Sequence, residues 1–130
     1  MNNKVKTIEK MDWTALVREY GVDGKRLLPW DSVALPFGGS YCVVRAKTSS
    51  LAHVNEPKGE QEMFICIKGA ATVYIGLDPV DVNEGDVVFI PAGANHYVDN
   101  THVQDFHMYS IWWDANTVKD YVNKKEASQA

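Results

Sequence analysis

The pattern of hydrophobic and polar positions changes near residue 41. From there to residue 113, short apolar runs rich in β-branched and aromatic residues alternate with turn residues. The runs are YCVVRA, EMFICIK, ATVYIGL, DVVFI, NHYV and QDFHMYSIWW, with turn signals at KGA, LDPVDVNEG and PAGA. Several short strands at this spacing are typical of an all-β sandwich or barrel rather than of alternating β/α units.

The N-terminal part of the chain has a different pattern. The stretch DWTALVREY predicts a short helix, because Asp12 can cap it, Leu16 and Tyr20 share one face, and Gly21 ends it. Residues 22–40 are punctuated by proline and glycine, which indicates an extended arm with short strand pieces.

The C-terminal part begins at Asp114, where Asn116 or Thr117 could cap a second short helix before the end frays. We therefore expect one structural domain in three parts. These are an N-terminal helix and extended arm (1–40), a β-barrel (41–113) and a C-terminal helix and tail (114–130).

Composition narrows the class of protein. The chain has 130 residues, of which 45% are hydrophobic and 23% charged, with a formal net charge of −4. These values suit one compact globular domain, and the lack of a Lys/Arg cluster argues against nucleic acid as a partner. No apolar run approaches a membrane span of about 20 residues, and MNNKVKTIEKM lacks the apolar core of a signal peptide. A cytoplasmic protein that does not bind membranes is therefore expected.

The two cysteines, Cys42 and Cys66, are each flanked by β-branched residues. This setting is typical of buried, reduced thiols that pack as small apolar side chains. Nothing in the sequence requires a disulfide.

The stretch GDVVFIPAGANHYVDN carries the sharpest chemical signal. It predicts a tight turn, a short strand, a Pro-x-Gly reversal and then His96 at the start of the returning strand. Such a turn holds an imidazole at a fixed place on a rigid wall, as a metal ligand requires.

This stretch resembles the second motif of the cupin superfamily, G-x5-P-x-G-x2-H-x3-N, at every position. The matching residues are Gly85, Pro91, Gly93, His96 and Asn100. The first cupin motif, G-x5-H-x-H-x(3,4)-E-x6-G, is matched in part by His53, Glu62 and Gly69. The sequence departs from it at the first glycine, which is Lys47, at the second histidine, which is Asn55, and in a longer loop before the glutamate.

The resemblance implies a double-stranded β-helix, the jelly-roll or cupin barrel, here with short N- and C-terminal helices. Strand alternation points His53 and Asn55 to one face and Glu62 to the same face as Phe64 on the next strand. In a cupin barrel that face is the interior. His53, Glu62 and His96 would then hold one divalent metal ion per chain, with Fe(II) preferred and Zn, Mn or Ni as alternatives. Asn55 is a fourth ligand, a hydrogen-bond partner or a spectator.

Other polar residues are candidates for supporting roles. His107 and Tyr109 are candidate proton carriers if they face the cavity, although a cross-strand core or surface histidine fits the pattern equally well. A carboxylate or amide of the lengthened loop could replace the missing histidine; the candidates are Glu56, Glu60 and Gln61. Three side chains could anchor an anionic or carbonyl substrate, namely Arg26, Arg45 and Tyr41. His102 lies in an expected turn and receives no role.

Three classes of function remain open. The set His-x-Asn followed by Glu resembles the 3-hydroxyanthranilate dioxygenase branch of cupins, but Ser49 stands where that branch has a substrate-binding arginine. The second class is a non-redox isomerase, epimerase or lyase, and the third is a small-molecule-binding cupin without catalysis. In each class the partner is a small organic molecule, and we expect a homodimer formed through residues 22–40.

Overall fold

The computed structural model describes residues 6–30, 33, 35–116, 119 and 123–126. The fold is built almost entirely from antiparallel strands. In chain order these are β1 (Val17–Glu19), β2 (Val22–Leu28), β3 (Phe37–Val44), β4 (Thr48–Ser49), β5 (Glu60–Lys68), β6 (Ala71–Ile75), β7 (Asp78–Val82), β8 (Val87–Ile90), β9 (His96–Asn100) and β10 (Phe106–Asp114).

The strands form two sheets. One has six strands in the order β1-β2-β3-β10-β5-β8, and the other has four in the order β4-β9-β6-β7. Inward-facing apolar side chains of both sheets make one core, which includes Val44, Phe64, Val73, Val98 and Phe106. This arrangement confirms the all-β jelly-roll barrel predicted from the sequence.

The prediction of an N-terminal helix at residues 12–20 is wrong, since this segment forms a turn followed by β1. Asp12 does accept hydrogen bonds from Thr14, through the backbone N at 3.0 Å and the side-chain Oγ1 at 2.6 Å. These bonds close a local turn, and the chain continues as β1, which pairs with β2. Asp and Thr stabilise turns as readily as helix caps, and the tertiary pairing decided between the two.

The arm at residues 22–40 contributes β2, which lies between β1 and β3 of the same chain. β3 covers one edge of β2, but β1 pairs only with Val22–Gly24, so the other edge from Lys25 to Leu28 has no strand partner among the described residues. The homodimer through residues 22–40 stays a prediction.

The stretch LDPVDVNEG contains a strand where the sequence predicts a turn. β7 pairs with β6 along its whole length, with Tyr74 opposite Pro79. β7 is the last strand of its sheet. An edge strand tolerates a proline because the backbone groups along its outer edge pair with no neighbouring strand, so a missing N–H there costs nothing.

The C-terminal helix is present in the described residues, where 115–116, 119 and 123–126 are helical. Its predicted cap differs, because the Asp114 carboxylate accepts a hydrogen bond from the backbone N of Asn116 at 2.8 Å. Thr117, the other predicted cap, lies outside the described residues. Within the described part of the chain, no helix is long and apolar enough to cross a membrane.

Cys42 and Cys66 are both free and buried, as the sequence predicts. Burial raises the pKa of each thiol to about 11. Both thiols therefore stay protonated near neutral pH and pack as apolar side chains rather than acting as nucleophiles.

Candidate metal centre

A cavity of about 180 Å³ opens between the two sheets. Its buried polar lining comprises Ser40, Asn55, Glu62, His96 and Ser110. Apolar lining comes from Phe64, Val98, Met108 and Trp112, and the exposed side chains at its opening include Glu19, Tyr20, Arg26 and Glu56. Small-molecule sites usually combine apolar walls with convergent polar groups, and this cavity has both kinds of lining.

His96 and Glu62 meet at the buried wall of this cavity. His96 opens β9 and is 2% exposed, while Glu62 lies in β5 and is 9% exposed. The Nε2 atom of His96 is 3.3 Å from Oε1 of Glu62. Two ionisable groups buried side by side are costly unless they are paired or bind a third charge.

The hydrogen bonds of His96 leave one ring nitrogen without a partner. Its Nδ1 donates to the carbonyl of Ala94 at 3.0 Å, which assigns the proton to Nδ1 in the neutral ring. The buried Nε2 has no hydrogen-bond partner among the described residues, because its contact with Glu62 lies outside hydrogen-bond geometry. A metal-binding histidine typically shows this arrangement, with one nitrogen fixed on a carbonyl and the other free.

The Glu62 carboxylate is held by two further groups. Asn55 donates to Oε1 at 3.2 Å through Nδ2, and the Ser110 hydroxyl donates to Oε2. Burial by itself raises the pKa of Glu62, but the adjacent His96 ring and the hydrogen bonds from Ser110 and Asn55 outweigh burial and bring that pKa below its ordinary value. Burial lowers the pKa of His96, yet the neighbouring Glu62 and the Ala94 carbonyl raise it overall.

His53 is anchored to His96 through the backbone. The two residues form an isolated antiparallel bridge, with N–H to carbonyl distances of 3.1 and 3.0 Å. Directly opposite residues project to the same side, and the two ring centroids are 4.5 Å apart. The Nδ1 of His53 contacts the carbonyl of Leu51 at 3.2 Å, so Nε2 again carries the lone pair.

The predicted ligands thus gather at one end of the cavity without forming a closed set. Among the described residues, no group of three or more His, Cys, Asp or Glu side chains is arranged to hold a metal ion. The Asn55 amide N points at Glu62, which places Asn55 as a partner that orients the carboxylate. An ion would have to draw these side chains closer together.

The structure corrects the placement of His107 and Tyr109. In β10 the residues that line the cavity are Met108, Ser110 and Trp112, so His107 and Tyr109 lie on the opposite face of the sheet. There the Tyr41 hydroxyl contacts His107 Nδ1 at 2.8 Å, and Trp13 packs against both rings. Neither His107 nor Tyr109 is placed to carry a proton inside the cavity.

The other candidates divide between the cavity and the outer surface. Arg26 reaches the cavity, where it donates to Glu19 at 3.0 Å and lies over the Trp112 ring. Arg45 lies outside it and bridges Asp23 and Asp105. Glu56 of the lengthened loop and Glu60 at the start of β5 line the cavity, whereas Gln61 of β5 accepts a hydrogen bond from Trp113.

Sequence reasoning missed two residues of the site, Ser110 and Tyr20. Ser110 had a signal, because it is a small polar residue at an inward position of a strand otherwise filled by large apolar side chains. Tyr20, whose ring stacks on His53, had none, since it was assigned to the face of a helix that does not form.

The comparisons with known proteins agree with this fold. The cupin domain profile matches residues 40–112. The plu4264 protein from Photorhabdus luminescens is 41% identical, with 94% of this chain and 99% of that chain covered and a TM-score of 0.80. A Cupin 2 conserved barrel domain protein from Salinispora arenicola CNS-205 is 33% identical, with 93% and 99% covered and a TM-score of 0.78.

A curated relative, the uncharacterised protein SCO3923 from Streptomyces coelicolor, is 29% identical over 58 residues. That match spans 45% of this chain and about half, 51%, of the relative's length. The profile match and the two full-length structural relatives define the class: the chain belongs to the cupin family.

Proposed function

We propose that this protein is a metal-dependent cupin that binds one divalent ion through His53, Glu62 and His96. It acts on a small organic molecule held in the cavity. The observation that carries the proposal is the Nε2 atom of His96, which is buried without a hydrogen-bond partner among the described residues and lies 3.3 Å from the Glu62 carboxylate.

The donor set suits the ion. Two neutral imidazoles whose Nδ1 atoms are tied to the carbonyls of Leu51 and Ala94 offer Nε2 lone pairs, and Glu62 offers a carboxylate. Two histidines and one carboxylate are the ligands of non-haem Fe(II) enzymes, and Zn, Mn and Ni accept the same set. A bound ion would supply Lewis-acid polarisation of a substrate oxygen and, if it is Fe(II), redox chemistry.

The chain's own residues provide the binding environment. Phe64, Met108 and Trp112 offer apolar surface to a substrate and exclude water from the buried end of the cavity. Glu62 is kept ionised by Ser110 and Asn55, which a cation-binding carboxylate requires. These features support a ligand that lies against apolar walls and reaches the ion with a polar group.

We place an Fe(II) dioxygenase ahead of a non-redox isomerase, epimerase or lyase. The latter reactions need a side chain that moves a proton at the substrate, and the two predicted carriers, His107 and Tyr109, lie on the far face of the sheet. An oxygenase depends less on such a group.

The test is anaerobic reconstitution with Fe(II) or Zn(II), followed by measurement of O₂ consumption with a panel of neutral aromatic diols and diketones. The Glu62→Gln variant is the control, because it keeps the side-chain size and removes the charge. Uptake that needs Fe(II) and Glu62 supports the dioxygenase. Turnover of a substrate with Zn(II) and without O₂ would establish the non-redox class instead, and tight ligand binding without any metal would establish the binding module.

A further inference from the structure

The turn between β1 and β2 holds a large aromatic residue in an unfavourable backbone conformation. Glu19 pairs with Val22, so Tyr20 and Gly21 are the two central residues of the hairpin. Their φ angles are +51° and +79°. Two positive φ angles define a type I′ turn, whose first central position favours Asn, Asp or Gly and disfavours a bulky side chain.

Burial does not explain why tyrosine occupies this position, because Tyr20 is 54% exposed. Its ring instead stacks on the imidazole of His53, with centroids 4.1 Å apart and planes 18° from parallel. Its carbonyl accepts a hydrogen bond from the backbone N of Leu51 at 2.7 Å. The turn is therefore docked on the segment that carries His53, and the aromatic ring lies against the histidine itself.

Backbone strain that persists without a packing reason points to a functional constraint. We propose that Tyr20 is a positioning residue that fixes the plane of the His53 imidazole for ion binding. This inference rests on the metal site proposed above. The Leu51 carbonyl fixes which nitrogen carries the proton, and the stacked ring restricts rotation of the imidazole, so that Nε2 is pre-oriented toward the end of the cavity that contains Glu62 and His96.

The turn itself supplies a sharp test. The Tyr20→Asn variant removes the ring and installs Asn-Gly, the pair that a type I′ turn favours, whereas Tyr20→Phe keeps the ring. Co²⁺ affinity is measured by competition with a chelator, together with the thermal midpoint of the metal-free proteins. We expect Tyr20→Asn to bind Co²⁺ about 10-fold more weakly, the size of effect seen for groups that orient metal ligands, with an unchanged or higher thermal midpoint. Tyr20→Phe should bind as the unchanged protein does.

A second readout needs no metal. NMR relaxation of the His53 ring reports its mobility, and we expect a more mobile ring in Tyr20→Asn than in the unchanged protein or in Tyr20→Phe; equal mobility in all three would overturn the positioning role.

Co²⁺ affinity that is unchanged or higher in Tyr20→Asn, while His96→Ala abolishes binding, would overturn the role of Tyr20 and leave the metal site standing. A parallel fall in affinity and thermal midpoint would show a purely structural role and also overturn it. Failure of the unchanged protein to bind Co²⁺ would overturn the metal site and this inference with it.

Discussion

The two halves of the candidate metal centre are built differently. The wall, which we define as Glu62, His96 and Ser110, consists of buried side chains on three strands of the barrel. The rim, defined as Tyr20 and His53, comes from a hairpin turn and from the segment between β4 and β5. The wall is held by hydrogen bonds and by the close approach of His96 to Glu62 within the core, whereas the rim rests on ring stacking at the opening of the cavity.

This difference shows which contacts fix the positions of the side chains in the site. Strand register fixes the wall, since β5 pairs with both β10 and β8 and cannot shift without turning its core face outward. The rim depends on a few local contacts and can adjust more readily. We therefore expect the wall to set whether an ion binds and the rim to set how tightly it binds.

The largest expected effect is at the wall. His96→Ala should weaken Zn²⁺ or Co²⁺ binding by more than about 100-fold, beyond the range seen for groups that only orient a ligand, because it removes the donor atom that is already buried and unpaired. Calorimetric titration measures it, with circular dichroism to check the fold. The matched control is His107→Ala, a histidine outside the cavity, which should bind the ion normally. Equal binding by the two variants would refute the assignment of His96.

His53→Ala should have the next largest effect, a loss of roughly 10- to 100-fold. The rim ligand is expected to contribute less, because His53 is partly exposed and its ring is held by stacking. The same titration provides the comparison. If His53→Ala loses as much affinity as His96→Ala or more, the distinction between wall and rim is wrong.

Ser110→Ala should weaken ion binding by about 10-fold. The variant removes the hydroxyl that donates to Oε2 of Glu62, so the carboxylate loses orientation and its pKa rises. Ser40→Ala is the matched control, because Ser40 also lines the cavity but its hydroxyl bonds to the Tyr41 carbonyl instead. Similar affinities in both variants would show that Ser110 does not orient Glu62.

The pKa shifts of two wall residues, His96 and Glu62, also predict how the stability of the metal-free protein depends on pH. The pKa of His96 is raised from 6.5, so its stabilising contribution is present below about pH 6.5 and is lost as pH rises through the raised value. The pKa of Glu62 is lowered from 4.5, so its contribution is present above about pH 4.5 and is lost as pH falls through the lowered value.

The stabilising contributions of His96 and Glu62 are therefore both present between about pH 4.5 and 6.5. Thermal midpoints measured from about pH 5 to 8 should fall on the alkaline side, and His96→Ala should flatten that fall. A slope that His96→Ala leaves unchanged would assign it to other groups.

The smallest expected effect is a gain in stability outside the site, in the turn before β4. Lys47 has a φ of +60°, which glycine adopts without the steric cost that a Cβ brings. Lys47→Gly should stabilise the fold by about 0.5–1 kcal/mol, even though it removes the hydrogen bond from Nζ to the Thr101 carbonyl. Chemical denaturation measures the change, with Lys58→Gly as the control at a lysine without a positive φ. Destabilisation by Lys47→Gly would show that the hydrogen bond outweighs the backbone strain.

Much of the fold could be predicted from the sequence, because the apolar runs have a period of two and are bounded by turn residues. The second cupin motif located His96, and strand alternation brought Glu62 to the inner face. Lys47 shows how a departure from a motif can preserve its geometry, since the residue in the glycine position of the first motif still has a positive φ.

The remaining features depended on tertiary pairing. Asp12 and Thr14 form a turn rather than a helix start, because β1 has β2 to pair with. A sequence also does not reveal on which side of its sheet a histidine lies when both faces carry aromatic residues, as in β10. For that reason His107 could be named only as a candidate for the cavity, and the contact of Tyr20 with His53 could not be foreseen once residues 12–20 were assigned to a helix.

The most direct test of the central claim is elemental analysis of anaerobically purified protein beside the His96→Ala variant prepared in the same way. The account predicts about one divalent ion per chain in the unchanged protein, as expected for a single facial ligand set, and almost none in the variant. Absence of metal from both proteins after reconstitution, or equal metal in both, would contradict the claim that His96 and Glu62 form the wall of a metal centre.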